Sequence, residues 1–196
     1  MGEFWYYYPS GEVRAIIEHL NDRRSFVTFY FKNKQVMSEG MYLDQKRDSL
    51  WINYNRQGYR VSIEKYRDGK LNGKKAMFYI QNQIDWGELK VLSETRYTDS
   101  LKSGSYLEYF SSGIVKTRGA FENDKEAGIW TTYDVKGMPI QYCQYKNGLK
   151  HGWVYRNISD SELIATSLYR RGELLTGKIK AEYLKECELK GIDPND

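Results

Sequence analysis

The residues able to do chemistry are few and scattered. The chain of 196 residues holds two histidines, His19 and His151, and two cysteines, Cys143 and Cys187. Neither cysteine belongs to a CxxC pair, so neither a structural zinc site nor a disulfide framework is expected. Neither histidine has a serine or cysteine motif beside it, and the GxSxG elbow of a nucleophilic serine is absent. The stretch KSGS (Lys102 to Ser105) lacks the Walker spacing and the Lys-Ser/Thr that would follow it, which excludes a phosphate loop. Glu122, Asp124 and Glu126 gather in a turn, but without EF-hand spacing they read as a solvated turn and not as a calcium site. No catalytic, cofactor-binding or metal-ligating residue is assigned. The expectation is a non-enzymatic protein that uses no cofactor and no metal.

The regularity lies elsewhere. In GIWTTYDVKGMPIQYCQYKNG, counted from Gly128, an aromatic falls at +2 (Trp130), Tyr at +5 (Tyr133), Gly at +9 (Gly137), Tyr at +17 (Tyr145) and Gly at +20 (Gly148). The same offsets from Gly104 give Tyr106, Tyr109, Gly113, Phe121 and Asp124, and from Ser49 they give Trp51, Tyr54, Gly58, Tyr66 and Gly69. From Gly2 they give Phe4, Tyr7, Gly11, His19 and Asp22. From Ser25 they give Val27, Tyr30, Lys34, Tyr42 and Gln45, the weakest match but in phase. A fixed period of this size marks a repeat array. Residues 1–176 are read as seven β-hairpin repeats starting near 2, 25, 49, 73, 104, 128 and 152, and residues 177–196 as a C-terminal cap.

Each repeat reads as two short strands and two turns. In the repeat from Ser49, LWINY is a strand, NRQG a turn, YRVSIEKY a second strand and RDGK a second turn. Glycine at +9 suits a tight hairpin turn needing φ > 0, and Asn or Asp at +18 to +20 tolerates the same conformation. The fold class expected is all-β: an elongated antiparallel hairpin array in a single sheet, of about eight units. Alternation along a strand sets Phe4, Tyr6 and Tyr8 on one side and Trp5 and Tyr7 on the other. Two places depart from the pattern. The repeat from Gly73 carries seven extra residues, read as an extended hairpin or a protruding loop at Gln83 to Gly87 with Trp86 at its tip. After Gly177 the +9 glycine is missing, and KAEYLKECELKG reads as a capping helix ended by Gly191 and Pro194, with a last irregular strand as the alternative.

The formal net charge is +4, with Lys and Arg mixed among Glu and Asp. That is not the concentrated basic stripe of a nucleic-acid binder. No apolar run approaches the length that spans a bilayer. A cytoplasmic protein is expected, or a secreted or periplasmic one if a leader precedes this sequence.

YKNGLKHGW (Tyr145 to Trp153), YRDGKLNGK (Tyr66 to Lys74) and YRRGELLTGK (Tyr169 to Lys178) resemble the MORN repeat, whose core is Tyr-x-Gly followed by a second Gly and an aromatic. YYPSGEVRA, YFSSGIVKT and YDVKGMPIQ are similar to the MORN-variant repeats of bacteria, which include the YwqK-type antitoxins. The resemblance implies an array used for binding: a protein partner, covered as an antitoxin covers a toxin or held as on a scaffold, or a membrane surface. Cell-wall carbohydrate is a further alternative, since WYYYPSG is similar to hairpins whose rings stack on sugars. Sheet edges also allow self-association. The candidate partner-binding residues are Trp86, Tyr6 and Tyr8. Trp86 is read either as a plug folded back on its neighbouring hairpin or as an anchor for a partner.

Overall fold

The computed structural model describes residues 2–159 and 162–196. The chain is an all-β, antiparallel hairpin repeat array with a C-terminal helix. It divides into two compact units, one through Leu101 and one from Lys102. The first holds β1 (Gly2–Tyr7), β2 (Val13–His19), β3 (Arg24–Tyr30), β4 (Val36–Leu43), β5 (Lys46–Tyr54), β6 (Arg60–Arg67), β7 (Lys70–Phe78), α1 (Ile80–Trp86) and β8 (Val91–Thr98). The second runs through β9 (Leu101–Tyr109), β10 (Val115–Glu122), β11 (Lys125–Tyr133), β12 (Pro139–Lys146), β13 (Leu149–Ser159), β14 (Glu162–Arg170), β15 (Glu173–Leu175) and α2 (Gly177–Lys190). Within each unit strand order follows chain order, without crossovers.

The turns are where the repeat spacing acts. At +9 the backbone is left-handed whichever residue stands there: Gly137 has φ +83°, and Lys34, where the glycine is missing, has φ +69°. In both turns the +9 N–H donates to the +6 carbonyl, Gly137 to Asp134 at 3.0 Å and Lys34 to Phe31 at 2.9 Å. The turn geometry therefore survives the loss of the glycine, at the cost of placing a lysine where a side chain is strained.

The opening residue of a repeat has its own role. Ser49 and Gly128 lie just inside β5 and β11, with φ +60° and +67°, at shifts of register against β4 and β10. Such bulges insert extra residues and bend a strand. Here the bulge swings the +2 side chain across the preceding strand: Trp51 lies opposite Gly40, and Trp130 lies over Gly119. A Cβ at Gly40 would stand 2.5 Å from the Trp51 ring, and one at Gly119 would stand 2.2 Å from the Trp130 ring. Each glycine leaves the space an indole fills.

Two segments differ from expectation or settle an alternative. The extra residues of the Gly73 repeat form helix α1, not a loop. Gly87 ends it in the left-handed conformation, its N–H donating to the Gln83 carbonyl (3.2 Å) and the next N–H, that of Glu88, to the Asn82 carbonyl (3.3 Å). Gln83 ties the helix to β6: its amide nitrogen donates to the carbonyls of Arg60 (2.8 Å) and Tyr79 (3.1 Å), and its oxygen accepts from the Arg60 N–H (2.9 Å). This short helix thereby satisfies backbone groups that a loop would leave to water. The cap is the helix α2, ended by Gly191 at φ +62°. It packs on β13 and β14, with Lys180 over the Trp153 ring (4.6 Å), Arg170 over the Tyr183 ring (4.7 Å) and Cys187 buried.

Candidate functional site

One row of cross-strand partners runs through the first unit: Phe4, Ile17, Val27, Gly40, Trp51, Glu64, Lys75 and Thr95, one per strand from β1 to β8. It is the +2 column of the repeats alternating with the +15 column. Trp51 is its centre and is 0% exposed. A single sheet has no second layer to cover an indole, so the cover comes from neighbouring repeats. The Phe29 ring stacks at 6.3 Å, Tyr42 and Tyr66 stand edge-on at 5.2 and 6.5 Å, and the Arg47 guanidinium lies 4.1 Å from the Trp51 ring. The indole N–H donates to the Met41 carbonyl at 3.0 Å, at the bulge. Trp130 is likewise covered by three rings, Phe121 and Tyr145 at the positions of Tyr42 and Tyr66, and Tyr106 from the +2 column where Phe29 comes from +4; its N–H donates to the Ala120 carbonyl. The position matching Arg47 is Glu126 there, among the described residues no guanidinium covers the ring, and Trp130 is less deeply buried.

One repeat toward the N-terminus the corresponding positions line a hollow beside a closed floor: Val27 is 1% exposed, and Ile17 stands where the next repeat has Gly40. Val27 stands at +2, where the next repeat has Trp51. Around it Tyr6 takes the place of Phe29, His19 that of Tyr42, and Tyr42 that of Tyr66. Arg23, four residues before Val27, takes the place of Arg47, four before Trp51. These residues, with Asp22, Asp44 and Phe29, line a hollow of about 600 Å³. Val27 follows His19 by one position fewer than Trp51 follows Tyr42, and β2 and β3 pair without a bulge, His19 opposite Ser25 and Ile17 opposite Val27. His19 is held by a hydrogen bond between Nδ1 and Ser25 Oγ (2.8 Å) and by the edge of Phe4 (5.1 Å). A catalytic triad would need a carboxylate orienting the imidazole; the ring has Phe4 against it instead.

The guanidiniums part company between the two repeats. Arg47 lies on Trp51 and also donates to the Tyr66 hydroxyl (3.3 Å). Arg23 has no indole to lie on and turns outward to Asp44, with Nε–Oδ1 at 2.9 Å and Nη2–Oδ2 at 2.6 Å. Hydrogen bonding to Asp44 raises the Arg23 pKa, and the same contact lowers that of Asp44.

Of the residues singled out in the sequence, Tyr6 belongs to this hollow. Tyr8 does not: the register shifts between Tyr6 and Tyr7, which breaks the alternation. Tyr8 instead donates its hydroxyl to the Tyr30 carbonyl (2.8 Å) with Lys32 over its ring (5.7 Å). Trp86 ends α1, six strands along from β1, and is 66% exposed, so it is not a plug on the neighbouring hairpin. His19, Arg23, Val27 and Tyr42 were missed as a group, although Val27 and His19 are the departures from the +2 and +17 columns that could have revealed them.

The edge at β1 is the other exposed feature. β1 pairs with β2 and, among the described residues, with no strand on its other side. Its four consecutive aromatics, Phe4, Trp5, Tyr6 and Tyr7, are 53, 49, 50 and 56% exposed. Among the described residues no group of three or more His, Cys, Asp or Glu is placed to hold a metal ion, and no helix is long and apolar enough to cross a membrane. No protein-family model matches the chain, and neither does any curated protein sequence.

Proposed function

We propose that this protein is a non-enzymatic binding module of the MORN-variant kind that recognises another protein through its β1 end, as an antitoxin or a scaffold would. The observation that carries the reading is β1 itself, a strand with one backbone edge unpaired among the described residues and four half-exposed aromatic side chains. Free strand edges invite a further strand, and proteins ordinarily blunt them with charge, proline or a cover. β1 has none of these after Glu3. Backbone pairing along such an edge supplies affinity while alternate side chains supply selectivity. Tyr and Trp are the residues most enriched where protein interfaces concentrate their energy.

The test starts from capture. The biotinylated chain is cross-linked in an extract of the cells that express it, and the captured protein is identified, purified and titrated against the parent chain. Phe4→Ser with Trp5→Ser should weaken that purified complex at least about tenfold, the loss of one modest interface contact or more. Full affinity in the double variant would overturn the reading. So would sedimentation with anionic vesicles, or binding to cell-wall glycan, in a chain that captures no protein.

A further inference from the structure

Arg118 and Thr131 are cross-strand partners on β10 and β11, each one residue along from the Gly119 and Trp130 pair. Alternation turns them to the other face of the sheet. Counted by column, Arg118 stands at +14 of its repeat and Tyr133 at +5 of the next. Elsewhere these two columns hold matched pairs. Glu39 at +14 accepts a hydrogen bond from the hydroxyl of Tyr54 at +5 (2.7 Å), and Ile63 and Phe78 in the same columns are both apolar. Arg118 and Tyr133 do not match in this way, because a guanidinium is a donor only and cannot take the phenolic proton. The two side chains line a pair of hollows in common, of about 570 and 510 Å³. Among the described residues neither side chain has a hydrogen-bond or ion-pair partner. The carboxylate of Glu108 on β9 is taken by Lys116 (2.8 Å).

We propose that Arg118 and Tyr133 bind the carboxylate of a glutamate or aspartate carried on an extended segment of a protein partner. Three observations select this ligand. The first is the repeat itself: Glu39 supplies the Tyr54 hydroxyl with a carboxylate acceptor, and that acceptor is what Tyr133 lacks. The second is charge. Arg118 is a single cation whose planar fork matches a carboxylate with two parallel N–H···O bonds, and a guanidinium is weakly enough hydrated to give up water for it. A phosphate group carries up to two negative charges, more than one guanidinium balances. The third is what flanks the pair. Leu107 and Ile114 line one hollow, and Ile129, 64% exposed, lines the other. Ser105, Ala120 and Ala127 keep the floor low enough for a backbone to approach. Side chains two apart on an extended segment share a side at a spacing of about 7 Å. A carboxylate on Arg118 thus sets the residues two before and two after it toward the apolar ends. No residue of β1 takes part, so this contact is additional to the one proposed above.

The probe is the end-capped peptide Ser-Val-Thr-Glu-Thr-Leu-Ser, titrated into the full chain with the Arg118 Nε–H and Thr131 amide resonances followed by NMR. A saturable shift of both is expected, with a dissociation constant on the order of 1 mM, as befits one short segment without its protein. The same peptide with glutamine in place of its glutamate should bind at least about tenfold more weakly, because the charge-assisted bonds are lost. Arg118→Gln, at an exposed side chain, should weaken the glutamate peptide by at least about tenfold, read at Thr131. Tyr133→Phe keeps the ring, removes only the hydroxyl, and should weaken it about fivefold. No saturable shift, equal binding of the glutamine peptide, or undiminished binding in Arg118→Gln or Tyr133→Phe would each overturn the proposal. Inorganic phosphate or sodium acetate at the peptide's own concentration should leave the shift in place. Displacement by either would make this a general anion site and overturn the peptide assignment. None of these outcomes bears on β1, which the Phe4→Ser and Trp5→Ser double variant tests with the captured partner.

Discussion

Replacing Gly119 by alanine puts one methyl carbon where the Trp130 ring already lies. The added carbon would stand 2.2 Å from Trp130 Cδ2 and 2.3 Å from Cε2, against ordinary carbon contacts of about 3.5 Å or more. The indole must retreat by roughly an ångström, and its surroundings oppose that. Tyr106 is stacked on it at 5.3 Å, Phe121 stands edge-on at 5.1 Å, and Tyr145 closes the far side at 6.0 Å. Overpacking of this kind costs about 1–3 kcal/mol. Pulling the indole N–H away from the Ala120 carbonyl, now 3.2 Å distant, adds about 1 kcal/mol. The smaller entropy of the unfolded alanine chain returns about 0.4–1 kcal/mol. The net expectation is a destabilisation of about 1.5–3 kcal/mol, read as a lowered urea midpoint. Trp130→Val in the same chain removes the ring that collides, as Val154 already stands at that column position beside β12. Gly119→Ala should then cost less than about 0.5 kcal/mol, so the double-mutant cycle should show a coupling of about 1 kcal/mol or more. If Gly119→Ala unfolds at the parent's midpoint, or if the two substitutions add without coupling, the pairing of glycine with indole is not what sets this position.

Gly137→Val places a β-branched residue at φ +83° and should cost about 1–3 kcal/mol by thermal or urea melting. Glu64 and Lys75 occupy the row where other repeats place glycine and tryptophan, 2.7 Å apart. Burial pushes the Glu64 pKa up, but Lys75 and the Tyr66 hydroxyl outweigh it and hold the carboxyl below its ordinary range. A depressed carboxyl contributes stability that is whole above its unfolded value and drains away as pH falls through the folded one. The parent's urea midpoint should therefore fall more steeply below about pH 4.5 than that of Glu64→Gln, and matching slopes would refute the assignment. Trp86→Ala removes a side chain that is 66% exposed. It should leave the melting temperature nearly unchanged, within about 0.5 kcal/mol, and a larger loss would show that the indole packs in solution.

Much of this protein follows from its period. Turn chemistry is local: a +9 residue must enter the left-handed region, so Gly11, Gly58, Gly113 and Gly137 mark turns wherever they recur, and the strands between them are what remains. The end of the chain was legible in part, because KAEYLKECELKG carries a helix with Gly191 as its stop within a dozen residues, an irregular last strand being the alternative that the structure removed. The segment from Ile80 to Trp86 was not, since seven residues are too few for periodicity to separate helix from loop, and its decisive bond runs from Gln83 to Arg60, 23 positions away. The hollow belongs to the same class. The sequence by itself determined that Val27 and His19 break the columns at +2 and +17. Only the tertiary structure decided that Tyr6, His19 and Tyr42, from three strands, and Arg23, from a turn, line one hollow beside the buried Val27. The physical reason is that a single-layer sheet covers each side chain with the repeats before and after it, so a substitution in one column acts on neighbours some twenty residues distant.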